Sequence, residues 1–496
     1  MIKSILISSL ILNLGLLLGR FSGFVRESIV ATTYGATSEA DIIVLMLTVP
    51  DLLVGILVGG AMGAVLIPEF NLNLNNAKKL LFQVTVCFGI IFILISTLLH
   101  WQSYALVELL APGFTKSQTL KASIGLSWVV WLMPLTVLSG VITAYLHAQN
   151  KFFTVSLGTL IINSTIIAGL LLAYFGHDSV FLIAMFVLLG GALRLFSQLI
   201  LVGIRWSPIQ SFDFILLNKG ILFHYFQALL SGSILIFIPV LARAFASYTG
   251  EGSVAIINYS IKLIEFPLVA IITVLAVILF PKLSDGFINN KKLYRKLTVY
   301  GAQAILSISL LTMIALMLLS KHYVDAVFNY GHMQTDDLLL IQRLITIGLL
   351  TLPLQGISFF FTIIFHSQKN TKTPLIINSI SLSVFILIYI GNVFGSNLES
   401  IMWGMVCSYG LTCVLQILLL RIDNFKLSQI FLSIEFIVGL LVASITLYLL
   451  INWVSYVNFS PIVTLCIATL AGLISLIIFA IFNQEFRILI KGNRGL

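Results

Sequence analysis

Apolar runs of about twenty residues or more recur along the whole of this 496-residue chain, and no other feature constrains its fold as tightly. A run of that length lets an α-helix cross the roughly 30 Å hydrocarbon core of a bilayer. On this measure the sequence divides into fourteen spans, at 5–34, 41–67, 80–101, 122–146, 154–175, 179–203, 220–248, 253–281, 297–320, 337–365, 374–394, 399–420, 431–452 and 461–482. Only 9% of the residues are charged, against roughly 25% in a soluble protein. A water-solvated globule, a secreted disulfide scaffold and a disordered chain are all excluded. Backbone groups in lipid must be satisfied within their own segment, so the expected fold class is an all-α polytopic membrane protein. The first run has no small-residue cleavage site after it and is expected to be a retained span.

The basic residues give the orientation. Positive residues in short loops are held on the cytoplasmic side. With a cytoplasmic N-terminus, eighteen Lys and Arg fall in cytoplasmic segments and only Lys116, Lys121 and Lys321 in outer loops. One missed span would invert the sides of everything after it. Both termini are therefore expected in the cytoplasm, and topology accounts for the +9 net charge without a nucleic-acid partner. The loops are short, which leaves no extramembrane domain for soluble chemistry. Cys87, Cys407, Cys413 and Cys466 lie in apolar runs with no metal-ligand spacing, so no disulfide, metal or cofactor is expected.

The halves of the chain resemble each other. LHAQNK from Leu146 parallels FHSQKN from Phe365, and IINS follows each, from Ile161 and from Ile376. TVPDLL and VLIPEF, with Pro50 and Pro68, parallel IEFPLV and ILFPKL, with Pro267 and Pro281. The offsets lie between 213 and 219 residues, so the repeating unit is six spans long. An even number of spans makes the two copies parallel, as in transporters that bind substrate between lobes. The expected organisation is a six-helix lobe at 1–212, a second at 213–424, and a two-helix hairpin at 425–496 outside the repeat.

Six cations remain within the spans: Arg20, Arg26, Arg194, Arg243, Lys262 and Arg343. Each costs at least ~2.5 kcal/mol at mid-bilayer and needs a partner, a wet cavity or a route to the interface. Arg243 and Arg343 lie near span ends and are expected to snorkel; Arg194 is expected to bond helix carbonyls. Arg20 and Glu27, seven apart, share a helix face, with Arg26 pointing elsewhere. In the second span Asp41, Thr48 and Asp51 lie along one side. In the eighth, Asn258, Lys262 and Glu265 form a polar stripe. Arg20, Arg26, Lys262, Asp41, Glu27, Glu265, Asn258 and Asp51 are the candidate substrate-binding residues; spare guanidinium donors suit a phosphorylated ligand. Pro50, Gly55, Gly59, Gly60 and Gly63 interrupt the second span, and Pro239 and Pro267 the seventh and eighth, which permits bending.

GRFSGFVRESIVATTYGATSEAD (Gly19–Asp41), VPDLL, LIPEF, YSIKLIEFP (Tyr259–Pro267), VFNYGHM (Val327–Met333) and KTP (Lys372–Pro374) resemble motifs of the MurJ (MviN) lipid II flippases, within the MOP exporter superfamily. The resemblance extends over essentially the whole chain, in a divergent form. It implies two six-helix lobes around a cationic cavity. Through that cavity an undecaprenyl-pyrophosphate-linked glycan, lipid II or a related lipid-linked oligosaccharide, would pass from the cytoplasmic to the outer leaflet of the bacterial inner membrane. It also implies that Arg20, Arg26, Asp41 and Lys262 are diphosphate or cavity residues, and that the C-terminal hairpin forms a groove for the polyprenyl tail. Where the family carries one or two arginines after the proline motif and an acid before its Gly-Ala, this chain has Val54, Gly55 and Gly59; Ile261 stands in place of the acid before the helix-eight cation, and Lys262 in place of an arginine. The implied partners are the lipid-linked substrate and membrane lipids, with the chain acting as a monomer and as a transporter, not an enzyme. Two other readings fit a chain of this kind. A MATE-like drug or cation exporter would show carboxylates as its dominant cavity charges. A membrane glycosyltransferase or polymerase would need an acidic motif, for which His322, Asp325, His332, Asp336 and Asp337 are the candidates.

Overall fold

A computed structural model describes residues 2–53, 55–56, 62–72, 76–149, 151, 157–176, 179–202, 225, 234–420, 433–457 and 459–483. All the regular structure among them is helical. In chain order the α-helices are α1 (Ile2–Tyr34), α2 (Ser38–Leu53), α3 (Met62–Leu72), α4 (Ala77–Trp101), α5 (Ser103–Leu110), α6 (Lys116–Val129), α7 (Leu132–Ala148), α8 (Gly158–Tyr174) and α9 (Ser179–Val202). They continue as α10 (Phe237–Ala246), α11 (Ser253–Pro267), α12 (Val274–Asn289), α13 (Lys291–Leu318), α14 (Ser320–Phe328), α15 (Thr335–Gly348), α16 (Thr351–Ser367), α17 (Lys372–Ile390), α18 (Leu398–Leu419), α19 (Ile434–Tyr456) and α20 (Pro461–Phe482).

Each of the fourteen expected spans overlaps at least one of these helices. Those at 41–67, 154–175, 179–203, 220–248 and 431–452 also run over residues outside the described ones. Among the described residues, nine helical stretches are long and apolar enough to cross a membrane; α15 and α16, bent by 43° at their junction, make a tenth if taken together. The chain is an integral membrane protein of many helical spans.

Local chemistry fixes several ends. Thr115 and Gln118 form a reciprocal capping box at the start of α6. Asn290 accepts the amide of Leu293 at the start of α13, and Asn397 that of Ser400 at the start of α18. Pro50 lies within α2, three residues before its end. Pro267 closes α11 and is followed by one π-helical stretch, Leu268–Thr273, before α12; a proline that removes a ladder bond and a wide turn beside it are a physical cause for a bend. Pro239, expected to interrupt its span, lies at the third residue of α10, just after a 3-10 turn over Ile234–Ile236 passes into it, and most of the span before that turn lies outside the described residues.

The chain divides into two compact units, Met1–Asn258 and Tyr259–Leu496. In the first, small residues let α8 approach its neighbours closely: Gly19 and Gly23 of α1 face Thr159 and Asn163, and Gly169 faces Phe186 of α9. In the second, α13 with the following Leu319, α19 and α20 share an apolar cluster that includes Ala304, Leu311, Phe436, Ala443, Leu447, Ala468 and Phe479. The opposite faces of α19 and α20, with Leu441, Ile445, Leu449, Leu470, Leu473 and Ile477, are exposed, as a lipid-facing surface would be.

Candidate functional site

The most polar interior of the first unit is built around Arg26 of α1, only 2% exposed. One edge of its guanidinium holds Asp51 of α2 with two bonds, Nη1 to Oδ1 at 3.2 Å and Nη2 to Oδ2 at 3.0 Å. Nη2 also donates to Glu27 Oε1 at 2.6 Å, and Nη1 to Asn163 Oδ1 of α8 at 3.1 Å. Only Nε is left without an acceptor. Asn163 is held in turn: its amide nitrogen donates to the Gly19 carbonyl at 2.9 Å and to Ser22 Oγ at 3.1 Å. The absence of a Cβ at Gly23 gives the Asn163 side chain room to lie against α1.

The network continues through Glu27. Its Oε2 accepts from Asn258 Nδ2 of α11 at 2.8 Å, and Asn258 Oδ1 accepts from Arg243 Nε of α10 at 2.9 Å. Four helices and α8 thus converge on two cations, Arg26 and Arg243, and two anions, Glu27 and Asp51. Their formal charges cancel. The side chains of Arg26 and Glu27 are 2% and 3% exposed, whereas that of Asp51 is 39% exposed and forms the wet edge.

Two sequence expectations change here. Arg26, adjacent to Glu27 in the chain, turns onto the carboxylate that was placed on the Arg20 face, because two long side chains leaving neighbouring Cα atoms can still meet at their tips. Arg243 was expected to snorkel, yet it is buried and bonded to Asn258. Arg20 is exposed. Arg343 behaves as expected of a residue near an interface: it is 65% exposed and 3.6 Å from Glu399.

Asp41 and Asp51 do not act together. They are ten residues apart on α2, about 15 Å of helix rise, and Thr48 between them donates back to the Val44 carbonyl. Asp41, 1% exposed, accepts the amides of Gly252 at 2.7 Å and Ala255 at 2.8 Å, the first turn of α11. A carboxylate there satisfies amides that the helix itself cannot and meets the positive end of its dipole. Around it, Ser38 N donates to Glu251, Gln118 Nε2 donates to Ser38 Oγ, and Gly113 N donates to Ser247 Oγ. These groups line a polar cavity of about 300 Å³ at the α1–α2 end of the unit. Gly252 has φ +76°, and a Cβ there would fall on the Ala36 carbonyl; one on Gly113 would fall on that of Ser247.

In the second unit Lys262 and Glu265, on successive turns of α11, lie 3.5 Å apart with side chains 20% and 34% exposed. Asn258 does not join them; it belongs to the Arg26 network. The five loop residues His322, Asp325, His332, Asp336 and Asp337 are not gathered: among the described residues no group of three His, Cys, Asp or Glu side chains could hold a metal ion. Sequence reasoning missed Asn163 as the residue that orients Arg26; the signal was its place in the repeated IINS segment.

The comparisons with known proteins agree with one another. A probable lipid II flippase MurJ of Buchnera aphidicola subsp. Acyrthosiphon pisum is 25% identical over 478 residues, covering 89% of both chains. One from Aquifex aeolicus is 23% identical over 399 residues, covering 78% of this chain and 77% of its own. A solved lipid II flippase MurJ in an inward closed conformation superposes with a TM-score of 0.81 at 19% identity, over 97% of this chain and 100% of that one. A multidrug resistance MATE transporter of the MOP superfamily in an inward-facing conformation gives 0.67 at 13%, over 82% of this chain and 96% of that one. The model of the family described as lipid II flippase MurJ matches residues 30–467. With that match over most of its length, the chain belongs to the lipid II flippase MurJ family.

Proposed function

We propose that the protein is a flippase for undecaprenyl-pyrophosphate-linked glycans, lipid II or a related lipid-linked oligosaccharide. It carries the headgroup from the cytoplasmic to the outer leaflet of the bacterial inner membrane by alternating access, for cell-wall synthesis. Both termini are cytoplasmic, and the chain works as a monomer. The observation that carries this reading, beyond the family, is the division of labour among the intramembrane cations. Arg26 and Arg243 are held in a network whose charges cancel, while Arg20 is exposed and Lys262 keeps part of its surface. Arg20 and Lys262 are therefore the groups that meet the diphosphate, and the Arg26 network sets the position of α1 that presents Arg20. The hairpin of α19 and α20 supports the polyprenyl tail along its exposed apolar face.

The exporter reading is weaker on the same ground. Glu27 and Asp51 are both engaged by Arg26, and Glu265 lies beside Lys262, so these carboxylates are not left as the dominant charges of a cation site.

The decisive experiment places the purified protein in vesicles loaded with lipid II or another defined polyprenyl-diphosphate glycan and follows the accessibility of the headgroup. Transfer that depends on the protein and is lost in Arg20→Ala is expected. Absence of transfer for every lipid-linked glycan tested, with the protein folded, would remove the proposal.

A further inference from the structure

Two buried carboxamides repeat one another in the two compact units. In the first, Gln198 of α9, fully buried, accepts from Ser139 Oγ of α7 at 2.8 Å through Oε1 and donates to Thr143 Oγ1 of α7 at 3.1 Å through Nε2. In the second, Gln416 of α18, also fully buried, accepts from Ser358 Oγ of α16 at 2.7 Å and donates to Thr362 Oγ1 at 2.9 Å. The atoms, the polarity of the bonds and the spacing of the hydroxyls are the same in both. Ser358 and Thr362 stand 219 residues after Ser139 and Thr143, and Gln416 stands 218 after Gln198, so the arrangement follows the sequence repeat.

Hydroxyls at i and i+4 lie one above the other on a helix face, about 6 Å apart along the axis. A single carboxamide that engages both is bonded at two heights at once. If α7 slid along α9 by one residue, about 1.5 Å, it could not keep both bonds, and within a bilayer no water is at hand to replace the lost partner. Hydrogen bonds of Gln, Ser and Thr between spans are individually modest; what two from one side chain add is register. Arg194, one turn before Gln198 on α9, does not supply it: it was expected to bond helix carbonyls, yet its Nε and Nη1 have no acceptor. Both carboxamides also act beyond the place where the facing span breaks. Ser139 lies seven residues after the start of α7, past its junction with α6, and Ser358 seven residues after the start of α16, past the 43° bend from α15.

We propose that Gln198 and Gln416 are register clamps, which hold α7 to α9 in the first unit and α16 to α18 in the second at one axial alignment in every conformation the protein adopts. Each clamped pair therefore moves as a single block. Each unit carries its own clamp, and neither rests on what the protein transports.

The full-length protein, in a background lacking Cys87, Cys407, Cys413 and Cys466, is spin-labelled in pairs and placed in phosphatidylcholine nanodiscs, where double electron–electron resonance reads the distances over all populated states. Gln149→Cys with Leu201→Cys reports on the first pair and Lys369→Cys with Leu419→Cys on the second, all at exposed positions. One narrow distance is expected for each. Gln198→Leu is expected to widen the first distribution at least twofold and leave the second unchanged, and Gln416→Leu to do the reverse. The triple variants Ser139→Ala, Thr143→Val, Gln198→Leu and Ser358→Ala, Thr362→Val, Gln416→Leu remove all three polar groups of a clamp together, so no buried donor or acceptor is stranded and they serve if the single changes do not fold. They are expected to widen the same distributions at an unchanged thermal midpoint, which a purely stabilising role would not do. Broad distances in the parent, or parental distances and widths in the triple variants, overturn the clamps.

Discussion

Arg26 has two carboxylates within bonding distance and one side-chain amide, so its removal leaves more behind than a cavity. Glu27 would remain buried with only Asn258 as a donor, and an unpaired buried charge is destabilising by about 3–5 kcal/mol; the partial exposure of Asp51 puts the expected loss at the lower end of that range. Arg26→Met is therefore predicted to lower the thermal midpoint of the purified protein and its transport together. Arg20→Ala, at an exposed position, is predicted to abolish transport at an unchanged midpoint. If both variants unfold at the wild-type temperature, the positioning role of Arg26 is wrong. Asn163→Leu removes an acceptor from Arg26 and two bonds to α1; a loss of about 1–3 kcal/mol is expected, read by chemical denaturation in detergent. The types of these residues were legible in the sequence, because charge inside an apolar run is conspicuous. Their pairing was not. Helical spacing places Cα atoms on faces, but an arginine side chain is long enough to reach past its own face, as Arg26 does to Glu27, and contacts such as Asn163 to Arg26 join positions 137 residues apart.

Among the elements, the joint between α2 and the start of α11 depends on a carboxylate and two glycines. Asp41→Ala removes the acceptor for Gly252 and Ala255 and is predicted to cost about 0.5–2 kcal/mol, as loss of a helix cap does. Gly252→Ala introduces both a strained backbone and a collision with Ala36. Both changes are predicted to loosen the same joint. A cysteine at the buried Ser247, in a background lacking the four native cysteines, should react faster with a thiol reagent in either variant than in the parent; equal rates would show that Asp41 does not hold the joint closed. The C-terminal hairpin offers a separate test. Ala443 is fully buried in the cluster that α19 and α20 share with α13, so Ala443→Leu overpacks it by about 1–3 kcal/mol. Transport of long-chain polyprenyl substrates is predicted to fall more than that of short-chain analogues. Apolar length revealed the helices themselves. It did not reveal that the tenth expected span is bent by 43°, or that a π-helical stretch follows Pro267, since both depend on how the backbone closes its hydrogen bonds and not on hydropathy.

For the molecule as a whole, the distribution of lysine and arginine predicts the sidedness of the chain. A cysteine at Lys3 and one at Lys369 should both be blocked only by a membrane-permeant reagent in intact cells, and one at Lys116 by an impermeant one as well; the reverse pattern would invert the proposed topology. The fold class was readable because a bilayer admits so few solutions for long apolar runs, whereas the joint that α2 makes with α11 was not, because nothing in either segment names the other. The cancellation of charge around Arg26 bears on how voltage acts. A transmembrane potential does about 2.3 kcal/mol of work per elementary charge per 100 mV, and a group holding two cations and two anions that moves through the field as one body gathers none of it. Its displacement is electrically silent, so any current or voltage dependence during a cycle must arise from charges outside that group, the cargo's among them.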